Sequence, residues 1–157
     1  MSKFIHKTTI VDENTTIGEN TKIWAFSHLC DRCKIGDNCV IGEGVYIGTN
    51  VTIGNNCKIQ NHALIYEGVT IENNVFIGPN VVTTNDFTPK VGGDWKNDGR
   101  FKPTFIKSGS SIGANTTIIC GVTIENNTLI GAGSVVTKDT EKNYLYYGNP
   151  SKKIRKI

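Results

Sequence analysis

An Ile, Val or Leu recurs at every sixth position through most of this chain. The series runs from Ile5, Val11, Ile17 and Ile23 through Ile59, Ile65, Ile71 and Ile77, and again from Ile106 to Val136. A small or β-branched residue stands two positions before most of them, as at Thr21, Cys33, Cys39, Val51, Cys57 and Ala63. Gly often follows the aliphatic residue (Gly18, Gly36, Gly54, Gly78), and Asn often precedes it by three (Asn20, Asn38, Asn56, Asn74). A period of six fits neither a helical face at 3.6 nor a long strand at 2. It suits a short strand followed by a sharp turn. Gly and Asn tolerate φ > 0 at low cost, so their fixed phase marks turns at a fixed phase. Three strand–turn units of six close a triangular coil of eighteen residues, and stacked coils pair as parallel strands about 4.8 Å apart. Inward aliphatics then form columns, one of them Ile17, Ile35, Ile53 and Ile71, giving a core that no single coil could bury alone.

The 157 residues read as one domain, 1–157. Its repeat breaks once. Thr83 takes the inward position after Ile77, but Ile106 follows it by twenty-three residues instead of six. The insertion, about 86–102, carries Phe87, Trp95 and Phe101, which argues for a loop that packs on a neighbour or forms a lid. Regularity ends near Thr137. The remainder, 138–157, is expected to cap the open end of the stacked strands, with a short helix starting at Pro150 or Ser151.

Net charge is +3, and the last twenty residues hold Lys138, Lys142, Lys152, Lys153, Arg155 and Lys156 against Asp139 and Glu141. Such a tail suits phosphates, a membrane surface or nucleic acid. Nucleic acid is disfavoured, because no basic stripe runs along the coils and no aromatics interleave with Lys or Arg. Neither a membrane span nor a signal segment is read, since the repeat begins by Ile5, so no membrane partner is expected. Cys33, Cys39 and Cys57 hold the small inward position, and the Cys30–Cys33 pair is out of phase with itself. Five largely buried thiols fit a reducing cytoplasm. His6, His28 and His62 lie in different phases and distant coils, so no three-histidine metal site is expected.

Phase also predicts neighbours. Asp31, Thr49, Glu67 and Asn85 share a column, which sets Glu67 beside Asn85 at the mouth of the insertion. His62 takes a turn position usually held by Asn, in the column Gly44, His62, Asn80. It is either a general base or a turn residue. His28 precedes Leu29 and should point outward; Trp24 and Gln60 share a column. Cys120 lacks a base in phase and is discounted as an acyl acceptor.

With these residues in view, the chain resembles the hexapeptide-repeat acyltransferases along nearly its whole length. Ile130-Gly-Ala-Gly-Ser-Val-Val-Thr-Lys-Asp followed by Gly148-Asn-Pro-Ser is similar to that family's coenzyme A end. More narrowly, it resembles the bacterial N-acetyltransferases that act on a 3-amino sugar linked to UDP or dTDP. The stretches that carry this are Ile59-Gln-Asn-His, Tyr66-Glu-Gly-Val, Phe76-Ile-Gly-Pro-Asn, Thr84-Asn-Asp-Phe-Thr-Pro-Lys and Gly113-Ala-Asn-Thr-Thr-Ile-Ile-Cys-Gly-Val. Where many relatives read Trp-His-Phe-x-His, this chain reads Trp24-Ala25-Phe26-Ser27-His28.

The resemblance implies an all-β fold, a left-handed parallel β-helix, assembled as a homotrimer with an active site at each subunit interface. It implies acetyl-CoA as co-substrate, no metal, and direct attack by the sugar amine, with Asn85 orienting that amine; His62, by its corner position alone, is the other catalytic candidate. The substrate set is Glu67, Tyr66, His28, Gln60, Trp24 and Asp86, with Trp24 either at the trimer contact or against a base. Lys90 and Arg100 are available for a carboxylate on the sugar. Coenzyme A falls to Gly113, Ala114, Gly131, Ala132, Lys138, Asn149, Pro150, Lys152, Lys153 and Arg155. Alternatives are a 4-amino sugar nucleotide, O-acetylation of another small acceptor, or a non-catalytic scaffold.

Overall fold

The computed structural model describes residues 2–157; Met1 lies outside it. Among the described residues there are twenty-two strands, mostly two residues long, and no helix. They stack into three walls. Wall 1 begins with Phe4–Ile5, Lys22–Ile23, Val40–Ile41 and Lys58–Ile59. Wall 2 begins with Ile10–Val11, His28–Leu29, Tyr46–Ile47 and Leu64–Ile65, and wall 3 with Thr16–Ile17, Lys34–Ile35, Thr52–Ile53 and Val69–Ile71. Successive coils pair in parallel, Ile17 on Ile35, Ile35 on Ile53 and Ile53 on Ile71, as the period of six requires.

Corners are built by residues in the left-handed region. Asn20, Asn38 and Asn56 each have φ 57°, and Phe26, Arg32 and His62 adopt 58°, 57° and 59° at the same phase. Asn tolerates this conformation because its short side chain bonds locally. Between walls 3 and 1 a side-chain ladder ties the coils together. Asp37 Oδ1 accepts from the Glu19 N–H (2.7 Å), Asn55 Oδ1 from the Asp37 N–H (2.8 Å), and Asn73 Oδ1 from the Asn55 N–H (2.7 Å). These bonds satisfy turn amides that the strands cannot reach.

Ile41, Ile59, Ile77 and Ile112 are wholly enclosed, each burial contributing about 1.5–3 kcal/mol. Ile5 and Val11 stay 42% and 39% exposed, since no described strand stacks beneath the first coil. The other end is closed by strands, and the helix expected there is absent. Tyr144–Gly148 extends wall 1, pairing Leu145 with Leu129, and Ser151–Lys156 returns antiparallel to it across Asn149–Pro150, a cis peptide. A run of β-prone aromatics meeting a ready strand edge overrides the helix-start signal of Pro150 and Ser151. Tyr146, 8% exposed, fills the end of the core, and its hydroxyl accepts from the Glu141 N–H (2.9 Å). The insertion leaves after Val82–Thr83 of wall 2, and the winding resumes in register, Ile106 on Ile71.

Candidate active site

The inserted segment departs from the corner between walls 2 and 3, here the second edge, and folds as a finger. The Phe87 N–H donates to the Arg100 carbonyl (2.9 Å), the Lys102 N–H donates to the Asn85 carbonyl (3.2 Å), and Asp86 bridges Phe101. Arg100 is its hub at 6% exposure. Its Nε donates to the Asp98 carboxylate (2.9 and 3.0 Å), and its terminal nitrogens to Asp86 Oδ2 (3.2 Å) and the carbonyls of Lys90 (3.3 Å) and Gly92 (3.1 Å). All three nitrogens are therefore engaged inside the finger, which corrects the expectation that Arg100 serves a substrate carboxylate. Trp95 packs on Phe101 (centroids 5.5 Å apart), whose ring covers Gly68 closely enough that a Cβ there would lie 2.7 Å away. Phe87 stays outside, 54% exposed.

Four of the expected site residues meet at this edge. Glu67 Oε2 pairs with Lys96 Nζ of the finger at 2.7 Å, and its Oε1 accepts from Asn50 Nδ2 at 3.2 Å. Asn85 begins the finger on the next coil, half-buried, its carboxamide without a hydrogen-bond partner among the described residues. Glu67 and Asn85 share the edge as their phase requires, joined through the finger rather than by a direct bond. The Asp86 carboxylate is taken by Arg100 and the Thr88 N–H (3.1 Å), so it holds the finger. Tyr66 is exposed, its ring 5.4 Å from that of Tyr46 on wall 2. Further along, Phe87, Lys102, Cys120, Gly121 and Lys138 line a shallow hollow of about 520 Å³, with the thiol of Cys120 buried behind it. His28 points outward on wall 2, in contact with Asp12.

The remaining candidates lie along the first edge, between walls 1 and 2. Trp24, Gln60, Gly113 and Gly131 each follow a wall 1 strand. Trp24 is 46% exposed, its ring 5.3 Å from Phe4. His62 forms the corner itself, with its ring over Gly44, where any Cβ would collide with it. Wall 2 separates His62 from Glu67, so the chain by itself does not bring the two together. The N–H groups of Gly113 and Gly131 are spent on the coil ladder, to Ile130 and Tyr146 carbonyls at 2.8 Å, whereas those of Ala114 and Ala132 have no partner among the described residues. Gly131 abuts Tyr147, so the first edge runs into the terminal hairpin. There Asn149, Pro150, Lys152 and Arg155 are exposed, while Lys153 is drawn to Glu141 (2.7 Å) and lies 3.9 Å over the Tyr144 ring.

Two contributors escaped the sequence, Lys96 and the hub role of Arg100, as did one corner residue, Phe26. Phe26 is a bulky aromatic at φ 58°, 67% exposed, a combination uncommon outside strained or functional positions. Only its phase, six residues after Asn20, marks it as a corner.

Residues 1–92 match the family described as "EIF2B subunit epsilon LbH domain", and 103–138 match "Bacterial transferase hexapeptide (six repeats)". The interval between them lies in the finger. The winding is thus the left-handed β-helix of hexapeptide repeats. A dTDP-3-amino-3,6-dideoxy-alpha-D-galactopyranose 3-N-acetyltransferase of Aneurinibacillus thermoaerophilus is 48% identical over 52 residues, 33% of this chain and 27% of that protein. A galactoside O-acetyltransferase of Lactococcus lactis is 39% identical over 82 residues, 51% and 39% of the two chains. The matched stretches therefore span well under half of these curated relatives. A solved galactoside acetyltransferase in complex with coenzyme A superposes with TM-score 0.67 at 30% identity, over 92% of this chain and 65% of the other. A GDP-perosamine N-acetyltransferase from Caulobacter crescentus, in complex with CoA and GDP-perosamine, gives TM-score 0.68 at 20% identity, over 99% and 57%, a likeness of fold alone.

Proposed function

The chain belongs to the bacterial hexapeptide-repeat transferase family, and from that premise we propose that it moves acetyl from acetyl-CoA to the 3-amino group of a dTDP- or UDP-linked sugar. The observation that supports this most is the Lys96 ammonium seated on Glu67 at 2.7 Å, with the unpartnered Asn85 carboxamide on the next coil. An alkylammonium fits this place, and an amino sugar brings one.

Acyl transfer from a thioester to an amine asks little covalent chemistry of the protein. It needs a neutral amine about 3 Å from the carbonyl and a donor for the developing oxyanion. Glu67 receives the sugar ammonium in place of Lys96. The ammonium gives one proton to solvent water, and the Asn85 carboxamide oxygen then accepts a hydrogen bond from the neutral amine and aims its lone pair. The nitrogen attacks the carbonyl carbon, the C–N bond forms, and the C–S bond breaks as the intermediate collapses. Coenzyme A leaves as thiolate and takes up the proton that the nitrogen sheds. No acyl-enzyme is required. Along the first edge the free amides of Ala114 and Ala132 serve the pantetheine and the oxyanion, and Lys152 and Arg155 serve the phosphates.

Since wall 2 separates the two edges within one protomer, they join only where the first edge of one copy packs on the second edge of the next. A heterologous contact of this kind closes as a ring, and three copies of a three-sided prism suit it. Five buried free thiols suit a reducing compartment such as the cytoplasm. A second reading, acetylation of a sugar hydroxyl, is favoured by the 30% identity with galactoside acetyltransferase. A hydroxyl needs a general base, and His62 is the candidate.

Thiol release from acetyl-CoA over a panel of amino-sugar nucleotides and simple galactosides tests both. Turnover of a 3-amino nucleotide sugar is expected. Asn85→Ala should lower kcat/KM about 10²-fold, while His62→Asn, which keeps the corner conformation, should leave it intact. Turnover of galactosides that His62→Asn abolishes and Asn85→Ala spares selects the hydroxyl reading. No thiol release with any amino-sugar nucleotide, or a monomer in sedimentation, overturns the proposal.

A further inference from the structure

On the outer face near the second edge, the first two coils bring Asp12, His28 and Cys30 together, and we propose that these three side chains hold a divalent transition metal, zinc by its chemistry. The inference is independent of the acetyltransferase reading and runs against the expectation that the chain carries no metal. Both carboxylate oxygens of Asp12 lie 3.2 Å from His28 Nε2, and Cys30 Sγ lies 3.9 Å from the same nitrogen. One donor atom from each side chain falls within 4.8 Å of the others.

Two carboxylate oxygens and a sulfur thus converge on one ring nitrogen, which has at most one proton to share among them. The contacts are also long for charge-assisted hydrogen bonds, which run about 2.7–2.9 Å. The N–O and N–S contacts lie near two edges of a coordination tetrahedron instead. Zinc bond lengths of about 2.0–2.1 Å to N and O and about 2.3 Å to S set N and O about 3.4 Å apart and N and S about 3.6 Å apart. Imidazole, thiolate and carboxylate together are a donor set that zinc accepts and that magnesium or calcium does not.

The surroundings hold these ligands in place. The Cys30 N–H donates to the Ile47 carbonyl (2.8 Å), and its own carbonyl accepts from Thr15 Oγ1 (3.1 Å). The Tyr46 ring packs edge-on against His28 at 5.9 Å. Cys30 is 6% exposed, whereas the side chains of His28 and Asp12 are each 39% exposed, which leaves a fourth position for water. On binding, the Cys30 thiol releases its proton to solvent and the metal–sulfur bond forms. Thiolate and carboxylate then neutralise the dication. Asp12 belongs to the uncovered first coil and His28 and Cys30 to the second, so the metal clamps the least buried winding to the body of the prism.

The full chain, stripped with a chelator, is titrated with cobalt(II) and then zinc. One equivalent of cobalt should give the intense visible bands of a tetrahedral ion and a sulfur-to-cobalt charge-transfer band, both lost when zinc displaces it. Zinc should raise the melting temperature of the stripped protein. Cys30→Ser should lose the charge-transfer band, and Asp12→Asn and His28→Ala should each weaken cobalt about tenfold or more. Far-ultraviolet dichroism verifies the fold of each variant. Asp12→Asn, a near-isosteric change at a half-exposed residue, keeps the test sharp if Cys30→Ser misfolds. No cobalt uptake, uptake without the sulfur band, or wild type and Asp12→Asn titrating alike overturns the proposal.

Discussion

Glu72 accepts hydrogen bonds from Lys107 Nζ (3.0 Å), the Ser108 N–H (3.0 Å) and the Ser108 hydroxyl (2.9 Å). These partners come after the finger, so one carboxylate ties the coil before the insertion to the coil after it. The Lys107 ammonium, then the Ser108 donors, hold its carboxyl below the ordinary carboxylate range. A depressed pKa means that the stabilisation is complete above the unfolded-state value and disappears as pH falls through the folded one. Urea denaturation at stepped pH should therefore find Glu72→Gln less stable than wild type near neutrality, the two curves converging in acid. A constant gap across the range would show that the charge is not what matters. At this scale the Asn corners were legible, because Asn carries a turn preference of its own. Phe26, Arg32 and His62 hold the same conformation by position alone, and only counting in sixes finds them.

Elements built by pattern were read more surely than those built by partner choice. The break after Thr83 was visible as a missed beat, and Trp95 and Phe101 pack as their aromatic character suggested. The hub of the finger was not visible, since Asp86, Asp98 and Arg100 look in sequence like an ordinary solvated loop. The terminal hairpin was misread because the exposed edge of wall 1, a long-range template, decides its conformation. Arg100→Met should free the finger and leave the winding intact. Trypsin would then cut at Lys90 and Lys96, the melting temperature would move little, and acetyl transfer would fall if the finger helps to build the acceptor site. Arg100→Lys should be intermediate, because an ammonium keeps the charge and loses the fork. A large drop in melting temperature would show instead that the finger supports the prism.

For the whole molecule, stability is distributed along the stack rather than held in one centre. Ile53→Ala, in the enclosed third coil, should cost about 2–5 kcal/mol in chemical denaturation. Ile5→Ala, at a position already 42% exposed, should cost clearly less. Equal losses would mean that the first winding is covered in solution. The columns were legible because each aliphatic repeats against its own kind. The division of candidate residues between two edges was harder to use, since a repeat shows which residues share an edge and not which edges of neighbouring copies meet. The constant spacing of the stack also limits how such a rod can change length. Removing 36–53 would delete one full winding, and every later side chain would keep its compass bearing while moving one rung closer to the start. Removing ten residues instead would turn everything downstream toward a different face. Length in this architecture is a ratchet that advances by whole turns.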